Sequence, residues 1–394
     1  MLRVLTLSTL FPDASRPNFG QFVAKQTAAL AAQPDVAVRV VAPVGLPPWA
    51  LARFTHPALA ALPNHETWAD LDVRRPRFTT LPGTGGRWHA AALTRALVPV
   101  LDAVRRDFAF DVIDASFFFP DGPAAVALGR RYGVPVSIKA RGADIHHWGH
   151  APATAAQVRG AGAAADGLLA VCGAMRDDMA AIGMPAARIR VHHTGIDADR
   201  FRPGDRAALK AGLGVDGPLV VSLGALIPRK GHDIVIDAVA RLPAVALRIA
   251  GEGPEAARLA AHAARLGVAD RVTLLGGVAH DALPDLLAAA DVMALASSSE
   301  GLANAWVESI ACGTPIVIPD AGGAREVVTR PAAGRIVARD AQAFAAAIGA
   351  ILDDPPAPDA VAQTAAGFSW AANGAALAAH LRDLVARAGQ ASSG

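Results

Sequence analysis

The sequence predicts an α/β protein built from two doubly wound parallel-sheet domains. Three observations carry this. Short runs rich in Val, Ile and Leu alternate with helix-like segments almost from end to end, the pattern of parallel strands covered on both faces. The runs form two series, parted by the Pro-, Gly- and charge-rich stretch FRPGDRAALKAGLGVDGP over 201–218. A length of 394 residues also exceeds that of one ordinary compact domain. The division expected is 1–203, then 204–369, then a closing helix over 370–394.

In the first series RVLTLST, VAVRVVAP, DVIDAS, PVSIKA, GLLAVC and RIRVHH read as strands. The segments QFVAKQTAALAA, AAVALGRRYG and ATAAQVRGAGAAA read as helices between them. In the second series the strands are PLVVSLGAL, VALRIAGEG, RVTLLGG, DVMALAS and TPIVIPD. Of the helices there, DIVIDAVARLP places Ile234, Val235, Ala238, Val239 and Leu242 on one face. The closing segment WAANGAALAAHLRDLVARA aligns Leu377, Leu381, Leu384 and Val385 in a stripe. Residues 43–87 resolve into no clear elements and read as a long excursion of the first domain that faces a ligand.

Composition narrows the function. Lys and Arg number 37 against 35 Asp and Glu, a balance that gives no broad nucleic-acid-binding face but leaves room for a local basic pocket. The two cysteines, Cys172 and Cys312, lie far apart without CxxC spacing, which argues against a disulfide framework or a zinc site and fits a reducing compartment. The apolar run near the start is short for a secretory signal and reads as the first strand. No unbroken apolar run is long enough to cross a membrane. A cytoplasmic protein is expected.

In open parallel sheets ligands bind beyond the carboxyl ends of the strands, so the residues just after each strand carry the information. Gly20 follows the first strand and precedes a helix. Backbone there can approach a phosphate or a sugar, although a plain strand–loop–helix turn explains Gly20 better when it is taken alone. After PVSIKA comes RGADIHHWG, with Arg141, Asp144 and His146, read as a polar substrate pocket in preference to a solvated loop. Adjacent histidines point apart, so no metal pair is expected there. After VVSLGAL, Arg229 and Lys230 stand before a helix, placed as a diphosphate clamp; the competing reading is a surface charge pair. The turn GEGPE brings Glu252 and Gly253, either facing the ligand or starting a helix at Pro254.

The segment SSSEGLANAWVESIACGTPIVIPD carries two carboxylates, Glu300 on a loop and Glu308 within a helix expected over 303–311. The amides of Gly301, Leu302 and Ala303 would be among the unpaired donors at that helix start. Together they can grip sugar hydroxyls and phosphate oxygens, and Glu308 can take a ribose. The alternative gives Glu300 a dipole-matching role and leaves Glu308 as a solvated helix residue.

The spacing E-GLANAWV-E resembles the EX7E motif of retaining glycosyltransferases of family 4, which have the GT-B fold. SLGALIPRKGHD, RIAGEGPE, LLGG, ADVMALASSSEG and ESIACGTPIVIPDAGGAREVV follow the family in order and spacing, and HHTGIDADRF is similar to its NG-(V/I)-D segment, with Thr194 where Asn is usual. FFFPDGPAA and KARGADI resemble first-domain segments of members that build bacterial polysaccharides. The resemblance implies two Rossmann-like domains facing each other across a cleft, with the closing helix crossing back onto the first. It implies a nucleotide-sugar donor such as a UDP- or GDP-sugar, held mainly by the second domain. It further implies a saccharide, lipid-linked or small-molecule acceptor on the first domain, no nucleic-acid partner, and no metal or other cofactor. Carried over, Glu300 would hold donor-sugar hydroxyls and Glu308 the ribose. Lys230 would neutralise the leaving diphosphate, assisted by the amides of Gly301 and Leu302, and Gly20 would belong to a loop closing over the donor. Two positions depart from the family: Ala225 stands where Arg is usual, with Arg229 as the substitute cation, and Arg141 stands where His is frequent. Another GT-B enzyme such as a nucleotide-sugar epimerase, a glycosidase using both glutamates, and a non-catalytic nucleotide-sugar binder are the competing functions. Acceptor recognition is expected in 43–87, where a basic or apolar surface would touch the inner membrane face.

Overall fold

The computed structural model describes residues 1–391 apart from Asn18. The chain forms two compact units, one from Met1–Gly195 together with the segment from Trp370 onward, the other from Ile196–Ser369. The sequence expectation put the first junction at 203/204; the contacts put it at 195/196. The cause is local: the Ile196 amide donates to the Phe368 carbonyl at 2.6 Å, Ile196 bridges Ser369, and Phe201 is buried with its ring near His280.

The first unit holds β1 (Leu2–Leu7), β2 (Val36–Val41), β3 (Val44–Leu46), β4 (His65–Trp68), β5 (Leu71–Arg74), β6 (Arg77–Thr79), β7 (Val112–Ala115), β8 (Val136–Ala140), β9 (Gly167–Ala170) and β10 (Ile189–Val191). Eight form one sheet in the order β10-β9-β8-β7-β1-β2-β5-β4, with β3 and β6 paired apart from it. The pairs are parallel except β4 with β5. The apolar stripe of the closing helix, Trp370–Ala391, puts Leu377, Leu381 and Leu384 into one core with Leu2, Val4, Leu30, Val112 and Leu169. Each such leucine contributes about 1.5–3 kcal/mol by burial, which fixes this late segment to the first strand. Positions 392–394 of the helix expected over 370–394 lie outside the described residues.

The excursion expected over 43–87 is built of regular elements instead. β3 and β6 pair, helix Trp49–Thr55 lies between them in sequence, and β4 and β5 extend the main sheet. The β4–β5 hairpin turns on Ala69 and Asp70, whose φ values are +46° and +63°. Type I′ two-residue turns require positive φ at both central positions and normally declare themselves by Asn-Gly or Asp-Gly; Ala-Asp gives no such signal.

The second unit holds β11 (Leu219–Leu223), β12 (Ala246–Ala250), β13 (Val272–Gly276), β14 (Val292–Ala294), β15 (Ile316–Pro319) and β16 (Gly334–Val337). Their order is β13-β12-β11-β14-β15-β16, and all pairs are parallel. β16 was not among the expected strands; it is a short edge strand that opens on Gly and carries Arg335. Val235, Ala238 and Val239 of helix His232–Ala240 join Val220, Leu247, Val292 and Val317 in the core, with Ile234 and Leu242 packed at its border. In each unit the strand order reverses beside the leading strand. β1 sits between β2 and β7, and β11 between β12 and β14, so a crevice opens beyond the carboxyl ends at each place.

Candidate functional site

In the second unit the loops after β11 and β14 meet at that reversal. The β11 loop ends in a single turn, Pro228–Lys230, and Gly231 leads into helix His232–Ala240. Gly231 has φ +66°, and a Cβ there would lie 2.3 Å from the Ala296 carbonyl oxygen. Glycine is therefore what lets the β11 loop rest on the backbone after β14. The Ser298 amide donates to the Arg229 carbonyl at 2.8 Å, which ties the loops together.

Lys230 and Glu300 meet across this junction, with Nζ donating to Oε1 at 2.5 Å. The Arg229 guanidinium donates to the Ser299 carbonyl and lies 3.6 Å from the same Glu300 oxygen. The Lys230 and Glu300 side chains are only 14% and 10% exposed, against 45% for Arg229. Two cations thus share one carboxylate, which leaves a net positive charge in a setting that screens poorly. The Lys230 stem runs over Gly224, with carbons 3.4 Å from where a Cβ would sit. At the adjoining helix Asn304–Ala311, the amides of Gly301, Leu302 and Ala303 find no hydrogen-bond acceptor among the described residues. The Gly323 amide donates to the Gly301 carbonyl at 2.7 Å and holds this loop in place. Cations, open amides and one carboxylate at a sheet edge make a receptor for an anion with a hydroxyl-bearing neighbour.

Glu308 lies in helix Asn304–Ala311 and is 8% exposed, so it is no solvated helix residue. Together with burial, the larger cause, its charge pushes the Cys312 thiol up to about 12. Glu252 is exposed, and its carboxylate leans over Gly277 beyond β13; the Lys230–Glu300 cluster does not include it. Gly253 packs against the Leu226 backbone. The helix expected at Pro254 begins at Ala256, because residues 253–255 form a turn in which the Glu255 amide donates to the Leu226 carbonyl. Sequence reasoning passed over His232, which is buried at the start of helix His232–Ala240 with Nδ1 2.9 Å from Ser222 Oγ; burial holds its pKa below the ordinary value.

In the first unit Gly20 precedes helix Gln21–Ala31 with φ +68°, and a Cβ there would lie 1.9 Å from the Leu10 carbonyl oxygen. Positive φ and backbone contact together demand glycine. Asp144 is fully buried and accepts from the amides of Phe118, Arg141 and Gly142 at 3.0, 2.9 and 2.7 Å; it organises the loops after β7 and β8. His146 is exposed and pairs with Asp178 Oδ2 at 2.9 Å, apart from that network. Arg141 Nε donates to the Ser116 carbonyl at 3.1 Å and Nη2 to Gln26 Oε1 at 3.2 Å. Its guanidinium lies over the Phe22 ring, 4.9 Å from the centroid.

The same Gln26 oxygen accepts from Lys139 Nζ at 2.9 Å, and Nζ lies 2.8 Å from His192 Nδ1. Burial lowers the pKa of Lys139 strongly and that of Arg141 to about 10, and raises that of Asp114 to about 6. Arg141 is therefore fixed by a buried polar interior of Gln26, Asp114, Ser116, Lys139 and His192. One signal for it was in view, a lysine inside the short strand-like run PVSIKA. Among the described residues no group of three His, Cys, Asp or Glu side chains is arranged to hold a metal ion.

Two family models match. "Glycosyltransferase Family 4" matches residues 21–200 and "Glycosyl transferases group 1" matches 206–368, so between them they cover most of both units. The chain belongs to glycosyltransferase family 4. Among curated relatives, D-inositol 3-phosphate glycosyltransferases of Mycobacterium tuberculosis and Mycobacterium bovis are 40% identical over 215 residues, covering 51% of this chain. The match spans 45% of those relatives' length. Among solved structures, sucrose-phosphate synthase from Thermosynechococcus elongatus superposes with TM-score 0.79 at 20% identity, covering 98% of this chain and all of that one. Anabaena HepE in complex with UDP-glucose gives TM-score 0.64 at 21% identity, with both chains fully covered. At these identities the structures establish the shared fold, GT-B, whose two Rossmann-like units are those described above.

Proposed function

We propose that this family 4 member transfers a sugar from a nucleotide-sugar donor to an acceptor hydroxyl with retention of anomeric configuration. The observation that carries the reading is the Lys230–Glu300 pair, set beside Arg229 and the open amides of Gly301, Leu302 and Ala303 where the strand order reverses. In the transition state the bond from the anomeric carbon to the donor phosphate breaks, leaving a cationic sugar and an anionic diphosphate. Preorganised donors aimed at the departing charge supply the catalysis. Lys230, Arg229 and the amides neutralise the diphosphate, Glu300 accepts from sugar hydroxyls, and Glu308 takes the ribose. The acceptor oxygen bonds to the anomeric carbon from the face the diphosphate leaves, and its proton passes to a diphosphate oxygen. The charge is met by protein cations and amides, so the scheme requires no metal ion.

The donor is a UDP- or GDP-sugar; HepE, a structural relative, binds UDP-glucose. The acceptor is a saccharide, lipid-linked or small molecule, recognised by the first unit, in which Gly20, Arg141 and the polar network beneath it stand at the strand ends. A cytoplasmic enzyme follows from this donor class. A thermal-shift screen against UDP-, GDP- and ADP-sugars, followed by turnover with the best binder, tests the reading. One class of donor should stabilise the protein by several degrees and be consumed. If none of them stabilises it, the nucleotide-sugar reading falls.

A further inference from the structure

We propose that the first unit carries a second anion site, for a soluble phosphate monoester on a compact apolar body, between the β4–β5 hairpin and helix His89–Val104. A pocket of about 580 Å³ opens there, a size that suits a small organic ligand. Asn64, His65, Arg74 and Arg77 form its polar side, and Pro99 and Val100 of the helix stand in its apolar wall. It shares no residue with the Lys230–Glu300 cluster, nor with Gly20 and the network around Arg141.

The ligand class follows from which cations already have a carboxylate. Arg39 takes both acids nearby, lying 2.9 Å from Asp107 and 3.4 Å from Asp72. His65 Nε2 is 2.8 Å from Asp72 Oδ1, and the buried Arg75 pairs with Glu66. Arg77 has neutral acceptors: Nη1 donates to Asn64 Oδ1 at 2.7 Å and to the Arg75 carbonyl at 2.6 Å, and Nη2 to the Leu62 carbonyl. Its charge is therefore not cancelled. Arg74 Nε is sealed from water and finds no acceptor, and no carboxylate pairs with its guanidinium among the described residues. Arg39 is the main cause that lowers the pKa of Asp107, with Arg74 a minor one. Three guanidinium groups thus face two carboxylates, and both carboxylates are held by the one that does not line the pocket. An unmet guanidinium N–H is costly to keep, and the planar fork of Arg74 can give two parallel bonds to one oxyanion. The uncancelled charge of Arg77 beside it favours a dianion. The helix wall offers the ester's carbon body an apolar face.

The test is calorimetric titration of the full chain with phenyl phosphate and with inorganic phosphate, under saturating UDP so that the clamp in the second unit is filled. Phenyl phosphate should bind at least about tenfold more tightly than phosphate, because its ring is buried against the helix wall. Arg74→Gln should weaken phenyl phosphate at least about tenfold. Arg74→Lys keeps the charge without the fork and should recover only part of that loss. Ala96→Glu sets a carboxylate into the wall while leaving Arg74 in place, and should abolish the binding. Each variant should keep the melting temperature and the UDP affinity of wild type. The site stands apart from the transfer reaction proposed above: if UDP does not bind, the Lys230→Met chain replaces it as the means of silencing the clamp. No heat from phenyl phosphate overturns the proposal. So does phosphate binding as tight as phenyl phosphate, or binding that survives both Arg74→Gln and Ala96→Glu.

Discussion

Replacing Lys230 by Met removes the ammonium while keeping a stem that can lie over Gly224. With its Nζ gone, the anion site loses one charge-assisted donor, worth about 1.5–3 kcal/mol of ground-state binding. Affinity for UDP, titrated calorimetrically, should therefore weaken about 10- to 100-fold. Turnover should fall further, by about 10²–10³, because the diphosphate charge is larger in the transition state. Folding should suffer less than the 3–5 kcal/mol lost when a buried pair is broken outright. Glu300 retains Arg229 at 3.6 Å, so about 1–2 kcal/mol is expected, read as a melting shift of roughly 2–6 °C. The double variant with Glu300→Gln separates the roles. It should recover the stability, because no carboxylate deprived of its closer cation remains, and leave UDP binding and turnover impaired. If Lys230→Met keeps UDP affinity and rate within about threefold of wild type, Lys230 does not serve the diphosphate. If the double variant regains both, the pair is only structural.

Two glycines with nearly the same φ separate contact from conformation. A methyl at Gly20 meets the Leu10 carbonyl oxygen at 1.9 Å, whereas one at Gly133, where φ is +66°, has nothing within 4 Å. In urea unfolding Gly133→Ala should cost about 1 kcal/mol and Gly20→Ala about 2–3 kcal/mol or more; equal costs would refute the contact. His380 supplies a pH limb. Burial, with Arg190 and Arg387 nearby, lowers its pKa from 6.5 to about 4, and the ring lies 3.1 Å from Ser137 Oγ. The unfolded chain binds the proton more readily between these values, so stability is full above about pH 6.5 and falls as pH drops through 4. The loss approaches about 3 kcal/mol, and His380→Gln should flatten that limb of a denaturation series taken from pH 4 to 7.5.

The elements legible in the sequence were those whose burial writes a periodic signal. Most strands of both central sheets are apolar runs broken by at most one or two polar residues, and Val235, Ala238 and Val239 declared their buried face by spacing alone. The β4–β5 hairpin and β16 were not legible, being short strands at sheet edges where alternation is weak, and Ala69-Asp70 disguises its turn. For the site, position after β11 and β14 drew attention to Lys230 and Glu300. Their meeting depends on strand order, which no local pattern encodes. The polar interior beneath Arg141 was hidden for a related reason: Gln26, Asp114, Lys139 and His192 come from four separate segments and acquire meaning only when the sheet assembles.

The closing helix has a consequence for the order in which the molecule is made. Leu377, Leu381 and Leu384 complete a core whose other members include Leu2, Val4 and Leu30. The second unit is continuous in sequence and can close as soon as Ser369 has left the ribosome. The first unit is begun earliest and finished last. Throughout synthesis of the whole intervening stretch, from Ile196 to Ser369, its sheet waits with an apolar face uncovered. A nascent chain stalled before Trp370 should thus expose that face to chaperones while already carrying a folded second unit.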